Sequence, residues 1–375
     1  MRALPAQTFR RGPAPAKMVR MAKATEAYVQ AGDREVRVSS PDRVIYEATA
    51  TTPAVTKLMV AEYVARVEDG LMRALRDRPT ALERWPGGVR EGMRLATGPQ
   101  DKDADAFYQK RVPKGAPDYL RTVEVRFPSG RTAEEICPDE IAVPVWCAHM
   151  GTLTFHPWPV RRGDVDHPDE LRIDLDPQPG TSFADAARVA GEARVLLEEL
   201  GMRGFAKTSG NRGVHVYVRI EPRWEFVDVR HAAIAFGREL ERRDPGVTTA
   251  WWKEERGERI FVDFNQNNRD RTIASAYSLR PLPGAPVSTP LAWEELAELD
   301  DPRGLNLHTV PQRLAEQGDP WAEIDEVHHD LTPLLRLWEE QGAVELPYPP
   351  DYPKMPGEPP RVQPSRKNPL NWENS

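Results

Sequence analysis

Residues Leu171-Arg172-Ile173-Asp174-Leu175-Asp176-Pro177 constrain the fold of this chain more than any other stretch. Apolar and polar residues alternate there with period two. This predicts a β-strand with Leu171, Ile173 and Leu175 on one face and Arg172, Asp174 and Asp176 on the other. Proline cannot donate to a ladder, so the strand ends at about Pro177. Asp174 and Asp176 then stand side by side, where two carboxylates repel unless a cation lies between them. Oxygen-only donors of this kind suit the hard ions Mg²⁺ and Mn²⁺. An Asp-x-Asp on a solvated strand edge is common, so the pair acquires meaning only from what the rest of the chain sets beside it.

Two further strands follow the same pattern. Val214, Val216, Val218 and Ile220 alternate with His215, Tyr217 and Arg219, and the loop Ser209-Gly210-Asn211-Arg212-Gly213 leads into them. Asp263 lies on the face opposite Ile260, Val262 and Phe264, before the polar turn Asn265-Gln266-Asn267-Asn268-Arg269. Helical spacing is clear from the Gly180-Thr181-Ser182 cap to Leu200, over Val227 to Arg242, and from Thr56 to Arg76 as one amphipathic helix. Val123 to Cys137 reads as a hairpin, and Leu153 to His156 as a short strand whose histidine need not be buried. The expected class is a mixed α/β fold, with helices on one side of a mixed sheet and the polar groups gathered on its exposed face. Order is expected from about residue 34 to 340. A basic arm (1–33) would precede it and a Pro-rich tail (341–375) would follow.

Composition bounds the function. With 39% apolar and 29% charged residues, the chain reads as a soluble globular protein. No apolar run approaches the ~18 residues of a membrane span, and the first twenty residues lack the apolar core of a secretory signal. Two cysteines, Cys137 and Cys147, are too few for a disulfide framework, so a cytoplasmic, nucleoid-associated location is expected. With His149 and His156 they do not make a tight zinc knuckle. The net charge of −7 argues weakly against nucleic acid but leaves room for a local basic groove. Phe107-Tyr108 beside Lys110 offers a base-stacking pair with a phosphate contact.

If the sheet gathers Asp174, Asp176 and Asp263, three carboxylates can hold two divalent ions, the requirement for in-line nucleotidyl transfer. The Ser209–Gly213 loop would add hydroxyl, amide and guanidinium donors for a triphosphate. Asp174-Leu175-Asp176-Pro177, Thr208-Ser209-Gly210-Asn211-Arg212-Gly213-Val214-His215, Phe261-Val262-Asp263-Phe264-Asn265-Gln266-Asn267 and Tyr277-Ser278-Leu279-Arg280 occur in that order. This set resembles the polymerase domain of bacterial DNA ligase D, within the archaeo-eukaryotic primase superfamily, over roughly residues 36–335.

The resemblance implies a primase-like core and a role in DNA repair. It makes Asp174, Asp176 and Asp263 the metal-binding aspartates, with Mn²⁺ or Mg²⁺ as cofactor. It assigns His156, Ser209, Arg212, His215, Gln266, Asn267 and Arg280 to the incoming nucleotide. Phe107 and Tyr108 match a template-stacking pair, while Arg43 and Lys57 match a pocket for the 5′-phosphate of a gap; Arg84 belongs to an Arg-Trp-Pro motif near the DNA. Ribonucleotide preference and short-gap filling are implied too. The pattern departs at Glu83, where a basic residue commonly precedes Arg84-Trp85-Pro86, and at Arg212, in place of a frequent lysine. No ligase sequence follows within the 375 residues, so a stand-alone relative working with a separate ligase or end-joining factor is expected. The rival reading is a non-catalytic DNA-end binder, which has no use for three clustered acids.

Overall fold

The computed structural model describes residues 26–362 apart from residue 99. The chain opens with the hairpin β1 (Glu26–Ala31) and β2 (Arg34–Ser39), the pair β3 (Val44–Tyr46) and β4 (Val55–Thr56), and helices α1 (Lys57–Arg66) and α2 (Glu68–Leu75). Strands β5 (Thr80–Arg84), β6 (Phe107–Gln109), β7 (Thr122–Arg126), β8 (Thr132–Ile136) and β9 (Thr152–Pro157) form a five-stranded sheet, with α3 (Ala142–His149) before β9. The second half begins β10 (Glu170–Pro177), α4 (Phe183–Glu199), β11 (Phe205–Thr208), β12 (Val214–Arg219) and α5 (Phe226–Arg243). It continues β13 (Val247–Thr248), α6 (Lys253–Arg256), β14 (Ile260–Val262), β15 (Pro290–Leu291), α7 (Trp293–Glu298), α8 (Val310–Gln317) and α9 (Thr332–Glu340).

Six strands of this half make the mixed sheet β13-β14-β10-β12-β11-β15, antiparallel except between β13 and β14. The apolar face carries Leu171, Ile173, Leu175, Val214, Val216 and Val218, which share one core with Ala186, Ala190 and Ala193 of α4 and Ala233 and Phe236 of α5. Burying each large aliphatic side chain is worth about 1.5–3 kcal/mol. Helix α4 starts where the sequence predicts: the Ser182 hydroxyl accepts the Asp185 N–H, and the Asp185 carboxylate accepts the Ser182 N–H.

The polar face of the sheet is not exposed, contrary to the sequence reading. Every residue of β12 is buried, and Tyr217 and Phe205 join the core of the first half. The charged residues on this face are paired instead. Arg78 grips Asp169 through two bonds of 2.6 and 2.8 Å, and Glu170 is paired with Arg78, Arg172 and Arg219. Arg219 also reaches Asp325 at 2.8 Å. Buried charges are tolerated only when paired and hydrogen-bonded, and this network ties the two halves together. An alternating pattern fits a paired interior as well as a wet surface.

Three boundaries also differ from the sequence reading. Glu26–Ala31 is already strand, paired with β2, so the expected arm ends earlier; residues 1–25 lie outside the described residues. The helix read as continuous from Thr56 to Arg76 is capped by Thr56 but breaks at Val67 into α1 and α2. Much of the expected tail is packed: Glu345 is paired with Arg230 and His231, and the Tyr348 ring lies 3.7 Å from the Arg230 guanidinium. Residues 363–375 lie outside the described residues.

Candidate active site

Strand register assembles the acids. Asp174 and Asp176 sit near the end of β10, where Asp176 pairs with Phe261 of β14. The chain leaves β14 at Asp263, whose N–H bonds the Asp174 carbonyl at 3.0 Å. Ligand oxygens of Asp174, Asp176 and Asp263 therefore lie within 4.8 Å of one another. Burial raises the Asp174 carboxyl to about 6. The Asp174 charge, then burial, lifts Asp176 to about 7, and burial together with both neighbours lifts Asp263 to about 7. Asp174 Oδ1 is buried without a hydrogen bond, although His215 Nε2 approaches it at 3.3 Å. Crowded carboxylates with an unfilled acceptor fit a hard divalent cation, which Asp174, Asp176 and Asp263 could hold between them.

His156, Asp174, Asp176, Ser209, Arg212, His215, Gln266 and Arg280 line one cavity of about 260 Å³. The Ser209–Gly213 loop joins β11 to β12 beside the acids, with the Ser209 hydroxyl accepting the N–H groups of Asn211 and Gly213. A side chain at Gly213 would press on the Leu175 carbonyl at 3.0 Å; one at Gly210, where φ is +74°, would meet the Arg280 stem at 2.4 Å. Glycine is thus required for loop, acids and Arg280 to approach. Arg212 faces the carbonyls of Thr181 and Pro177, each at 3.4 Å. Gln266 donates to Asp263 at 3.0 Å.

Arg280 is held by its backbone. Its carbonyl accepts from the Tyr46 hydroxyl, the Leu279 carbonyl from Thr154, and the Tyr277 carbonyl from Tyr63 at 2.8 Å. Tyr277 itself adopts φ +62°, unusual for a non-glycine residue, and donates its hydroxyl to Asp319.

Asn267 is a correction to the sequence reading. It does not line the cavity; its carboxamide accepts the Arg172 N–H at 2.9 Å and donates to the Arg172 carbonyl at 2.8 Å. The 3-10 turn Phe264–Asn267 turns Gln266 and Asn267 different ways, a feature a linear Gln-Asn motif conceals. Sequence reading also missed Lys207, which is fully buried in the row Lys207–His215–Asp174 across β11, β12 and β10. Burial, then the Arg280 charge, lowers its ammonium well below its usual range, and burial, then Lys207, does the same to His215. The four residues of β11 are too few for alternation to flag a buried lysine. Arg256, another missed cation, is buried with its charge close enough to Asp263 and Asp176 to act on both.

The DNA-side candidates divide. Phe107 and Tyr108 are exposed on β6, with the Arg84 guanidinium 5.2 Å from the Phe107 ring and Tyr108 edge-on to His156 at 5.2 Å. Arg84 is committed to the Met150 carbonyl and Gln109, and Lys110 is paired with Asp270 at 2.5 Å. Neither is a free phosphate ligand as it stands. Arg43 is exposed, and its guanidinium donates to the Pro86 carbonyl at 3.1 Å. Lys57 bonds Ser39, and burial together with Arg43 and Arg37 lowers its ammonium to about 8. A larger cavity of about 480 Å³ lies between α2 and α8, and two of its arginines are paired with its acids, Arg73 with Asp319 and Arg161 with Asp325.

Residues 56–321 match the family described as LigD, primase-polymerase domain. Among relatives, the multifunctional non-homologous end joining protein LigD of Pseudomonas aeruginosa is 32% identical over 87% of this chain and 37% of its own length. The corresponding protein of Mycolicibacterium smegmatis is 31% identical over 77% of this chain and 36% of its length. The bifunctional LigD of Bacillus subtilis is 27% identical over 76% and 44%. The chain thus spans well under half the length of these relatives. Among solved structures, the polymerase domain of Mycobacterium tuberculosis ligase D in complex with DNA superposes with a TM-score of 0.68 at 30% identity. It is matched over 99% of its length and 78% of this chain. Three acids at one sheet end and a family match across the whole site agree: this chain belongs to the LigD primase-polymerase domain family and is a nucleotidyltransferase.

Proposed function

We propose that this chain is a template-dependent primase-polymerase that adds nucleotides, ribonucleotides in preference, at DNA ends or short gaps during repair. The observation that carries the reading is that Asp174 and Asp176, with Asp263 within 4.8 Å of them, share one cavity with the Ser209–Gly213 loop and Arg280. Two divalent ions, Mn²⁺ or Mg²⁺, bound by the three aspartates would neutralise triphosphate charge and ease loss of the proton from an attacking 3′-hydroxyl. The chain's own residues do the rest. Ser209, Arg212, His215 and Arg280 orient the triphosphate, and Gln266 steadies Asp263. Phe107 and Tyr108 offer a stacking face for the template base. Arg43 and Lys57 suit the 5′-phosphate across a gap, since Lys57 lies close enough to both Arg43 and Arg37 to feel their charges. Ribonucleotide preference and partnership with a separate ligase or end-joining factor rest on family membership.

The test is extension of a primer across a 5′-phosphorylated gap with ribo- and deoxynucleotides in Mg²⁺ and Mn²⁺. Asp174→Ala should abolish extension while its circular dichroism stays that of the parent. Extension by that variant at the parent rate would refute the reading.

A further inference from the structure

Glu83 departs from the family pattern, and it lies under the nucleotide cavity. It is 3% exposed on β5, between Tyr108 of β6 and Thr154 of β9. One carboxylate oxygen accepts the Trp85 indole N–H at 3.0 Å; the other lies 3.0 Å from His156 Nε2. A carboxylate only accepts, so Nε2 must carry the proton of that bond. Nδ1 is then the nitrogen left for the cavity; among the described residues it has no hydrogen-bond partner. His156 is itself nearly buried, and the Tyr108 ring meets it T-shaped at 5.2 Å. The ring is therefore fixed in plane by an aromatic and in protonation pattern by an acid.

We propose that Glu83 is a positioning residue for nucleotide binding: it accepts Nε2–H of His156 and, by balancing the charge of the doubly protonated ring, lets Nδ1–H donate to a phosphate oxygen of the incoming nucleotide. A basic residue at this place could not fill that role. This deepens the reading above and rests on His156 being a nucleotide contact.

Glu83→Gln separates positioning from folding. The indole N–H has no alternative to donating, so the amide oxygen stays with Trp85 and the NH₂ faces His156. The ring can keep that bond only by giving up the Nε2 proton, which leaves it neutral with Nδ1–H toward the nucleotide. All bonds survive, but the ring that meets the phosphate no longer carries a charge. A charge-assisted hydrogen bond is roughly twice as strong as a neutral one, so losing the charge is roughly a three- to tenfold effect. The KM for the nucleoside triphosphate should therefore rise three- to tenfold, with kcat within twofold of the parent. In a His156→Ala background the same substitution should leave KM unmoved. If His156→Ala alone leaves KM unchanged, the nucleotide-contact reading fails. If His156→Ala raises KM but Glu83→Gln does not, or raises it equally in both backgrounds, the positioning role is overturned.

Discussion

Asp176→Asn tests the charge crowding at the centre of the site. The Asp176 carboxylate makes no hydrogen bond among the described residues, so the isosteric amide removes charge and little else. Its folded-state value is about 7, raised from 3.8 by Asp174 and by burial. The folded chain therefore holds a proton that the unfolded chain releases near pH 4, and stability falls as pH rises from there to about 7. Three units at about 1.4 kcal/mol each set a ceiling of roughly 4 kcal/mol. Asp174 and Asp263 titrate together with it, which shares the cost, so removing one charge should recover about 2–4 kcal/mol at pH 8. At about 2 °C per kcal/mol for a long chain, Tm should rise by about 4–8 °C in EDTA. At pH 4.5, just above the value of the unfolded chain, the gain should shrink to about 1 kcal/mol or less, because the acids are protonated in the fold and only partly ionised out of it. Adding Mn²⁺ should raise Tm more in the parent than in the variant, while extension by the variant is lost. Paired thermal melts at the two pH values decide the matter. A variant melting at or below the parent at pH 8, or showing equal gains at both pH values, would refute the crowding argument.

Gly70→Ala should lower Tm and raise the KM for nucleotide. The new methyl would lie 2.1 Å from the Tyr277 ring, which Asp319 and Tyr63 hold in place three residues before Arg280. Overpacking of about 1–3 kcal/mol outweighs the ~1 kcal/mol that alanine gains in a helix; melting curves and steady-state kinetics measure both effects. Asn267→Ala should destabilise by about 1–3 kcal/mol through the unpaired Arg172 backbone, yet leave nucleotide affinity intact. A weakened affinity, read by titration of a nucleoside triphosphate without DNA, would restore Asn267 to the nucleotide site.

Much of the second half was legible in the sequence because its elements are long and regular. Alternation defined β10 and β12, and the Ser182 cap defined the start of α4. Asp174, Asp176 and Asp263 could be singled out because each sits opposite an apolar face beside a turn. The first half was less legible. The run from Thr56 to Arg76 carries no local stop signal at Val67, where α1 ends and α2 begins.

The sequence by itself determined the strands that carry the acids, which face of each is apolar, and which acids could meet a cation. Those properties are local, written in residue spacing. Only the tertiary structure decided where the other face goes. It buried His215, Lys207 and His156, paired Arg172 and Arg219 with Glu170, and turned Asn267 away from the cavity. A polar side chain looks the same in sequence whether water or a distant partner satisfies it. Asp174 and Asp176 alone were an ambiguous strand edge; register with β14 brings Asp263 to them and makes the three one charged site.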